Sequence, residues 1–320
     1  MEDLYDNQKT ADSFTAVHTV VLFYKYIEIA DPQTEMARQR ALCEKLGLKG
    51  RMIIAEEGIN ATLEGESKRI EEYMEEMKKD ERFTDIHWKK SIGPGNAFPK
   101  LKIKVRPEIV SLHLERDLDP NQVTGTHLKP EELKKWFEQG KKFVIVDMRN
   151  DYEFKVGKFK DSIMPPLKNF RDLQGQIDSI KDLKDTTVLT VCTGGVRCEK
   201  ASGLLVREGF KDVYQLDGGI VSYMEKYPAQ EFEGTLYVFD NRITMDFDPA
   251  HKHKVIGQCD FCLEKTEQFY NCAYPQCNLK VLCCEKCFKQ KHKKVFCSDA
   301  CKIRYVIGNI RQSFVHLFNN

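Results

Sequence analysis

Cys192 stands between an apolar run, Thr187-Val188-Leu189-Thr190-Val191, and a helix-prone segment from Ala201 to Val206. Two glycines, Gly194 and Gly195, free the backbone just after it, and Arg197 follows. A loop that curls from a strand into a helix N-terminus turns backbone N–H groups inward and makes an anion nest. A thiol in such a nest, beside a fixed positive charge, drops from about 8.5 to roughly 3.5–7.5. Cys192 is therefore expected to be a thiolate nucleophile, with Thr193, Gly194, Gly195 and Val196 as the cradle and Arg197 as the counter-charge. Four residues between cysteine and arginine make a tight ring, suited to a group smaller than phosphate, such as the outer sulfur of a persulfide. Cys198 opens the helix, either as an inert helix residue or as a thiol that resolves an oxidised Cys192. Asp147 and Arg149, at the end of an apolar run, are expected to form an ion pair that braces this loop.

A second concentration of thiols lies near the C-terminus, where nine of the 12 cysteines fall between Cys259 and Cys301. Eight form close pairs: Cys259 with Cys262, Cys272 with Cys277, Cys284 with Cys287, and Cys297 with Cys301. Such spacings let both sulfurs of a pair reach one ion, and eight thiolates suffice for two tetrahedral Zn2+ sites, with Cys283 spare. Which pairs share a metal stays open; first with third and second with fourth is one arrangement, and an iron–sulfur cluster is an alternative use of the ligands.

The third feature is Lys100-Leu101-Lys102-Ile103-Lys104-Val105-Arg106. In a strand successive side chains point to opposite faces, so Lys100, Lys102, Lys104 and Arg106 share one surface. With Lys89 and Lys90, six cations fall between residues 89 and 106 without one acid. The row reads as an RNA-backbone contact or as an edge strand guarded by lysines against aggregation. Net charge is +1 overall, but residues 251–320 carry 12 Lys and Arg against five Asp and Glu, while the first 250 carry 38 against 44. Two four-thiolate zinc sites, each adding two negative charges, would reduce the tail's surplus to +3.

These groups need elements to hold them. Residues 17–106 read as strand (17–26), helix (32–46), strand (51–55), strand (60–63), helix (67–79) and an extended segment (85–88), the order of a ferredoxin-like sandwich. Residues 107–125, with Pro107, Pro120 and Gly125, read as a linker after a 1–16 tail. Between 126 and 228 a helix (128–140), a strand (143–148), a short strand (163–164), a strand (187–191), a helix (198–208) and a strand (213–216) predict a parallel sheet with helices on both faces. Cys192 then sits at a carboxyl strand end, where such sheets bind ligands. Residues 229–320 hold the cysteine module, 259–301. The fold class is thus multidomain, α+β followed by α/β, with a small metal-binding tail. No apolar run approaches the ~18 residues of a membrane span, and the acidic start Met1-Glu2-Asp3 lacks a secretory pattern. A cytoplasmic protein without a membrane partner is expected.

Val146-Asp147-Met148-Arg149-Asn150-Asp151-Tyr152-Glu153-Phe154, Gly157, the Cys192 loop and Leu216-Asp217-Gly218-Gly219-Ile220 occur in the order seen in rhodanese domains, which residues 126–228 resemble. Adding Ala55-Glu56-Glu57-Gly58-Ile59-Asn60-Ala61-Thr62-Leu63 and the basic strand, nearly the whole chain resembles the tRNA uridine hydroxylase family (TrhO, YceA-like). The resemblance implies oxygen-dependent 5-hydroxylation of the wobble uridine, with tRNA bound through its anticodon region, molecular oxygen as co-substrate and Cys192 as a persulfide-type cysteine. A sulfur donor protein is a further expected partner. The competing reading is a persulfide sulfurtransferase using the same cysteine. Residue patterns show no NAD or flavin motif and no His/carboxylate triad for iron.

Overall fold

The computed structural model describes residues 17–114, 118–248, 253–277 and 279–318. The 1–16 tail lies outside the described residues. The first unit runs β1 (His18–Tyr26), α1 (Pro32–Lys45), β2 (Lys49–Ala55), β3 (Gly58–Glu66), α2 (Ser67–Lys78), β4 (Lys89–Gly93) and β5 (Leu101–Val105). Its sheet has the order β4-β1-β3-β2-β5, with β5 parallel to β2. Helix α1 starts where the sequence places it, because the Asp31 carboxylate accepts the Gln33 and Thr34 N–H groups at 3.0 and 3.1 Å, satisfying donors that a helix start leaves over.

Alternation along β1 sorts its side chains. Val21 and Phe23 join the core under α1 and α2, whereas Leu22 and Tyr24 face away from it, towards the second unit. The extended segment expected at 85–88 is not a strand: the chain first makes a one-turn helix at Glu81–Phe83, anchored by Asp80, and pairing with β1 begins only at Lys89.

The second unit contains β6 (Thr126–Leu128), α3 (Pro130–Glu138), β7 (Val144–Asp147), α4 (Asp151–Phe154), β8 (Gly157–Phe159), β9 (Thr187–Val191), α5 (Val196–Arg207), β10 (Asp212–Leu216) and α6 (Gly219–Lys226). A parallel sheet, β6-β10-β9-β7, carries Val146, Val188 and Val213 on one buried face and Ile145, Leu189 and Leu216 on the other. Both faces are covered, as parallel sheets require. The strand expected at 163–164 is a single bridge from Ile163 to Val146. Strand β6 went unread because three residues are too few to show a period.

Residues 107–125 are more than a spacer. Ile109, Leu112 and Leu118 are buried, and the Glu108 carboxylate accepts the N–H groups of Leu112 and His113 at 3.1 and 3.0 Å. Beyond α6 come β11 (Phe232–Gly234), paired with β8, then β12 (Leu236–Tyr237), β13 (Thr244–Met245), β14 (Phe269–Asn271), β15 (Lys280–Leu282), α7 (Glu285–Gln290) and α8 (Asp299–Phe318). No helix among the described residues is long and apolar enough to cross a membrane.

Candidate active site

Strand β9 delivers Cys192 at its carboxyl end, and α5 begins at Val196. The glycines between them serve different ends. Gly195 has φ 100°, a region that side chains disfavour. Gly194 leaves room for β1, since a Cβ there would stand 2.3 Å from Leu22 Cδ2. The Cys192 side chain is fully buried, and its sulfur accepts the Gly195 N–H at 3.2 Å. From the other side, the start of α6 holds the loop: Ile220 N–H donates to the Cys192 carbonyl at 2.9 Å and Val221 N–H to the Thr193 carbonyl at 3.0 Å.

Burial opposes ionisation of Cys192, but a hydrogen bond from the Cys198 thiol, the Arg197 charge and the N–H groups of Cys198 and Arg197 outweigh it, lowering the thiol to about 6. The sulfur is therefore a thiolate at neutral pH. Burial and the adjacent Cys192 sulfur push Cys198 the opposite way, well above an ordinary thiol. Cys198 is thus the protonated donor of the pair.

Arg197 is clamped. Its Nη1 and Nη2 donate to Glu153 Oε1 and Oε2 at 2.6 and 2.8 Å, and Nη2 also donates to Thr193 Oγ1 at 3.1 Å. Glu153 is fully buried; burial would raise its carboxyl, yet the Arg197 charge and hydrogen bonds hold it below its usual range. Sequence reasoning missed this carboxylate, although it stands at the third position of α4 and accepts the Asn150 N–H at 3.0 Å. Asp147 and Arg149 do pair, with Nη2 to Oδ2 at 2.7 Å, and Arg149 Nη2 also reaches the Gly157 carbonyl at 2.5 Å. That pair fixes the turn carrying Glu153, so its support of the cysteine loop is indirect.

The first unit completes the surroundings. The Tyr24 hydroxyl donates to Glu199 Oε1 at 2.9 Å, and Glu199 also receives Gln215 at 2.9 Å and pairs with His127 at 3.0 Å. On the same helix, buried Lys200 bridges Glu57 and Glu108 at 2.6 and 2.8 Å. Glu57 lies in the Ala55–Leu63 segment singled out in the sequence, which thereby acquires a structural reason. Between the units opens a cavity of about 380 Å3, whose walls include Leu22, Tyr24 and Asn60 from the first unit and Thr193, Gly194 and Arg197 from the loop. The cysteine sulfur itself is covered.

In the tail, the sulfurs of Cys259, Cys262, Cys284 and Cys287 lie within 4.8 Å of one another, as do those of Cys272, Cys277, Cys297 and Cys301. The pairing is first with third and second with fourth. Cys262–Cys284, Cys277–Cys297 and Cys297–Cys301 separations are each 3.6 Å, close to the ~3.8 Å edge of a tetrahedron with 2.3 Å metal–sulfur bonds. Both clusters can hold a metal ion, and Cys283 belongs to neither.

Family models match in three consecutive blocks: the UPF0176 acylphosphatase like domain over residues 18–109, the rhodanese-like domain over 129–226 and the model described as Rhodanase C-terminal over 233–302. The chain is 42% identical over 300 residues to the tRNA uridine(34) hydroxylase of Bacillus thuringiensis (strain Al Hakam), covering 92% of this chain and 93% of that protein. This chain belongs to the tRNA uridine(34) hydroxylase family. The protein of that name from Bacillus cereus (strain 03BB102) matches with the same identity and coverage. The solved rhodanese-like domain of an Anabaena protein is 21% identical, covering 35% of this chain and 80% of that one at a TM-score of 0.30.

In this family member the six cations expected to act together are separated. Lys100, Lys102, Lys104 and Arg106 lie along or beside β5 at one edge of the first sheet, whereas Lys89 and Lys90 belong to β4 at the opposite edge. Lys104 is depressed by the charges of Lys102 and Arg106, as expected of a one-sided row. Lys90 is paired with Glu71 at 2.9 Å. Lys89 is not a surface contact at all: its Nζ is buried without a hydrogen-bond partner, 5.0 Å from the Tyr24 ring centroid. Burial lowers it to about 8, against the opposing charges of Asp217 and Cys192. Alternation predicts which face a lysine takes but not that another unit will cover that face.

Proposed function

We propose that this chain is a tRNA-modifying oxidoreductase that hydroxylates C5 of uridine 34, the wobble base, with molecular oxygen as co-substrate. The observation that carries this reading is the 42% identity to tRNA uridine(34) hydroxylases along 92% of the chain, too much to reflect the rhodanese-like unit alone. The net change replaces C5–H by C5–OH. One oxygen atom enters the base, and the other leaves as water after taking two protons and two electrons from an external donor, such as a dithiol. Cys192 supplies the reactive sulfur, as thiolate or persulfide, and Arg197 with the nest N–H groups balances its charge. Because the sulfur is covered, binding of the RNA has to displace part of that cover. The β5 cations supply phosphate contacts around the anticodon, and the two cysteine clusters each hold a structural Zn2+ that orders the tail. The setting is the cytoplasm, and a sulfur donor protein loads Cys192 if the persulfide is the working form.

The test is nucleoside mass spectrometry of tRNA incubated with the wild-type chain and with Cys192→Ala, under labelled dioxygen and without oxygen. Labelled 5-hydroxyuridine from the wild type alone is expected. The anion nest would also carry a transferable sulfur, so a nucleoside containing sulfur in place of the new oxygen would assign the chain to persulfide transfer. Full hydroxylation by Cys192→Ala would remove this cysteine from the chemistry.

A further inference from the structure

The cavity between the units has walls of mixed chemistry. Phe239, in the turn joining β12 and β13, is a large apolar side chain left 41% exposed. It lines the cavity, and the Arg197 guanidinium lies 5.7 Å from its ring centroid. Tyr237 meets this ring edge-on, with centroids 5.3 Å apart at 80°, and no ring among the described residues lies parallel to it. Asn60, also in the cavity wall, donates its Nδ2 to the Ile109 carbonyl at 3.1 Å, which fixes the amide, and its Oδ1 accepts no hydrogen bond from the described residues. Arg51 and Arg171 stand exposed at the rim, and neither makes a salt bridge among the described residues. At about 380 Å3 the space matches a small-molecule site and admits one nucleotide rather than a helix.

We propose that this cavity receives a single unstacked uracil nucleotide, with Phe239 as its stacking platform, Asn60 Oδ1 as acceptor for the base N3–H, and Arg51 and Arg171 as contacts for the flanking phosphates. The proposal rests on the tRNA reading above and adds to it the residues that take the base. Uracil presents an N–H at ring position 3 where cytosine presents a lone pair, so an oriented amide oxygen favours uracil. Stacking is indifferent to base identity, which divides the labour: Phe239 contributes affinity and Asn60 contributes the choice.

The experiment measures binding rather than turnover. Synthetic anticodon stem-loop RNAs carrying uridine, cytidine or an abasic residue at the wobble position are titrated into the full chain, loaded with metal. Phe239→Ala is expected to weaken the uridine RNA roughly 5- to 150-fold, the range for one lost base–aromatic stack. It should hardly affect the abasic RNA, and Phe239→Trp should restore binding. Asn60→Ala is expected to erase a uridine-over-cytidine preference of roughly three- to tenfold, the worth of one hydrogen bond. The rate of Cys192 alkylation, followed in each variant, reports whether the loop is intact. Equal loss of uridine and abasic RNAs by Phe239→Ala, or an unaltered base preference in Asn60→Ala, would overturn the assignment. If the wild type shows the expected binding pattern but forms no 5-hydroxyuridine, the hydroxylase reading fails and the base site stands. Turnover without that pattern has the reverse meaning.

Discussion

Replacing Glu153 by Gln probes the clamp on Arg197 with little change in shape. The carboxylate holds both Arg197 nitrogens, at 2.6 and 2.8 Å, and receives Thr193 Oγ1 at 3.1 Å. The substitution leaves Arg197, itself 7% exposed, as a buried cation without its carboxylate partner. Breaking a buried pair from one side costs about 3–5 kcal/mol. Glutamine keeps one acceptor for the guanidinium, so the lower end, about 3 kcal/mol, is expected. At ~4–8 °C per kcal/mol for a domain of about 100 residues, the rhodanese-like unit should melt about 12–24 °C lower. Calorimetry of the metal-loaded chain resolves that transition from those of the other units. Acid supplies the control. The Glu153 carboxyl is depressed in the folded chain, so its contribution is complete above the unfolded value of ~4.3 and is lost as pH falls through the folded one. The gap between wild type and variant must therefore close in acid. Melting lowered by less than the ~4–8 °C that one kcal/mol gives would refute the clamp, as would a gap that persists at low pH.

Four further outcomes are expected. Iodoacetamide should alkylate Cys192 with a midpoint near the thiol's value of about 6, once protein opening is held constant; a midpoint near the ordinary ~8.5 would contradict the nest. Lys89→Met removes a buried ammonium that faces the Cys192 charge, so the alkylation midpoint should rise while the fold persists; an unchanged midpoint would make Lys89 a packing residue only. Neutralising Lys102 and Arg106 should make the slope of log affinity for tRNA against log salt shallower by about 0.7 per lost single-strand contact, and no change would leave β5 as a guarded edge. Metal analysis should find two zinc ions per chain, and a chelator should disorder the tail; fewer than one zinc in a chain with a folded tail would dismiss the two-site assignment.

Local patterns in the sequence account for a definite part of this protein. A strand, a thiol, two glycines and an arginine are contiguous, so the cysteine loop is encoded within a short stretch, as are the four cysteine pairs and the cap that starts α1. The β-α-β-β-α-β order and the alternating sheet follow from periods that one segment can show by itself. The tertiary structure decided everything that depends on a partner distant in sequence. Gly194 reads locally as backbone freedom, yet Leu22 of another unit needs the space its missing Cβ leaves. Lys89 reads as one more surface cation, yet the second unit closes over it and strips it of water. Glu153 reads as one of many acids until Arg197, 44 residues away, meets it in a site without solvent. Phe239 carries no local signal, because an aromatic beside a turn becomes a platform only when a cavity forms against it. Charge and shape at this site arise where the units meet, and desolvation, which sets their strength, belongs to the packed chain rather than to any segment of it.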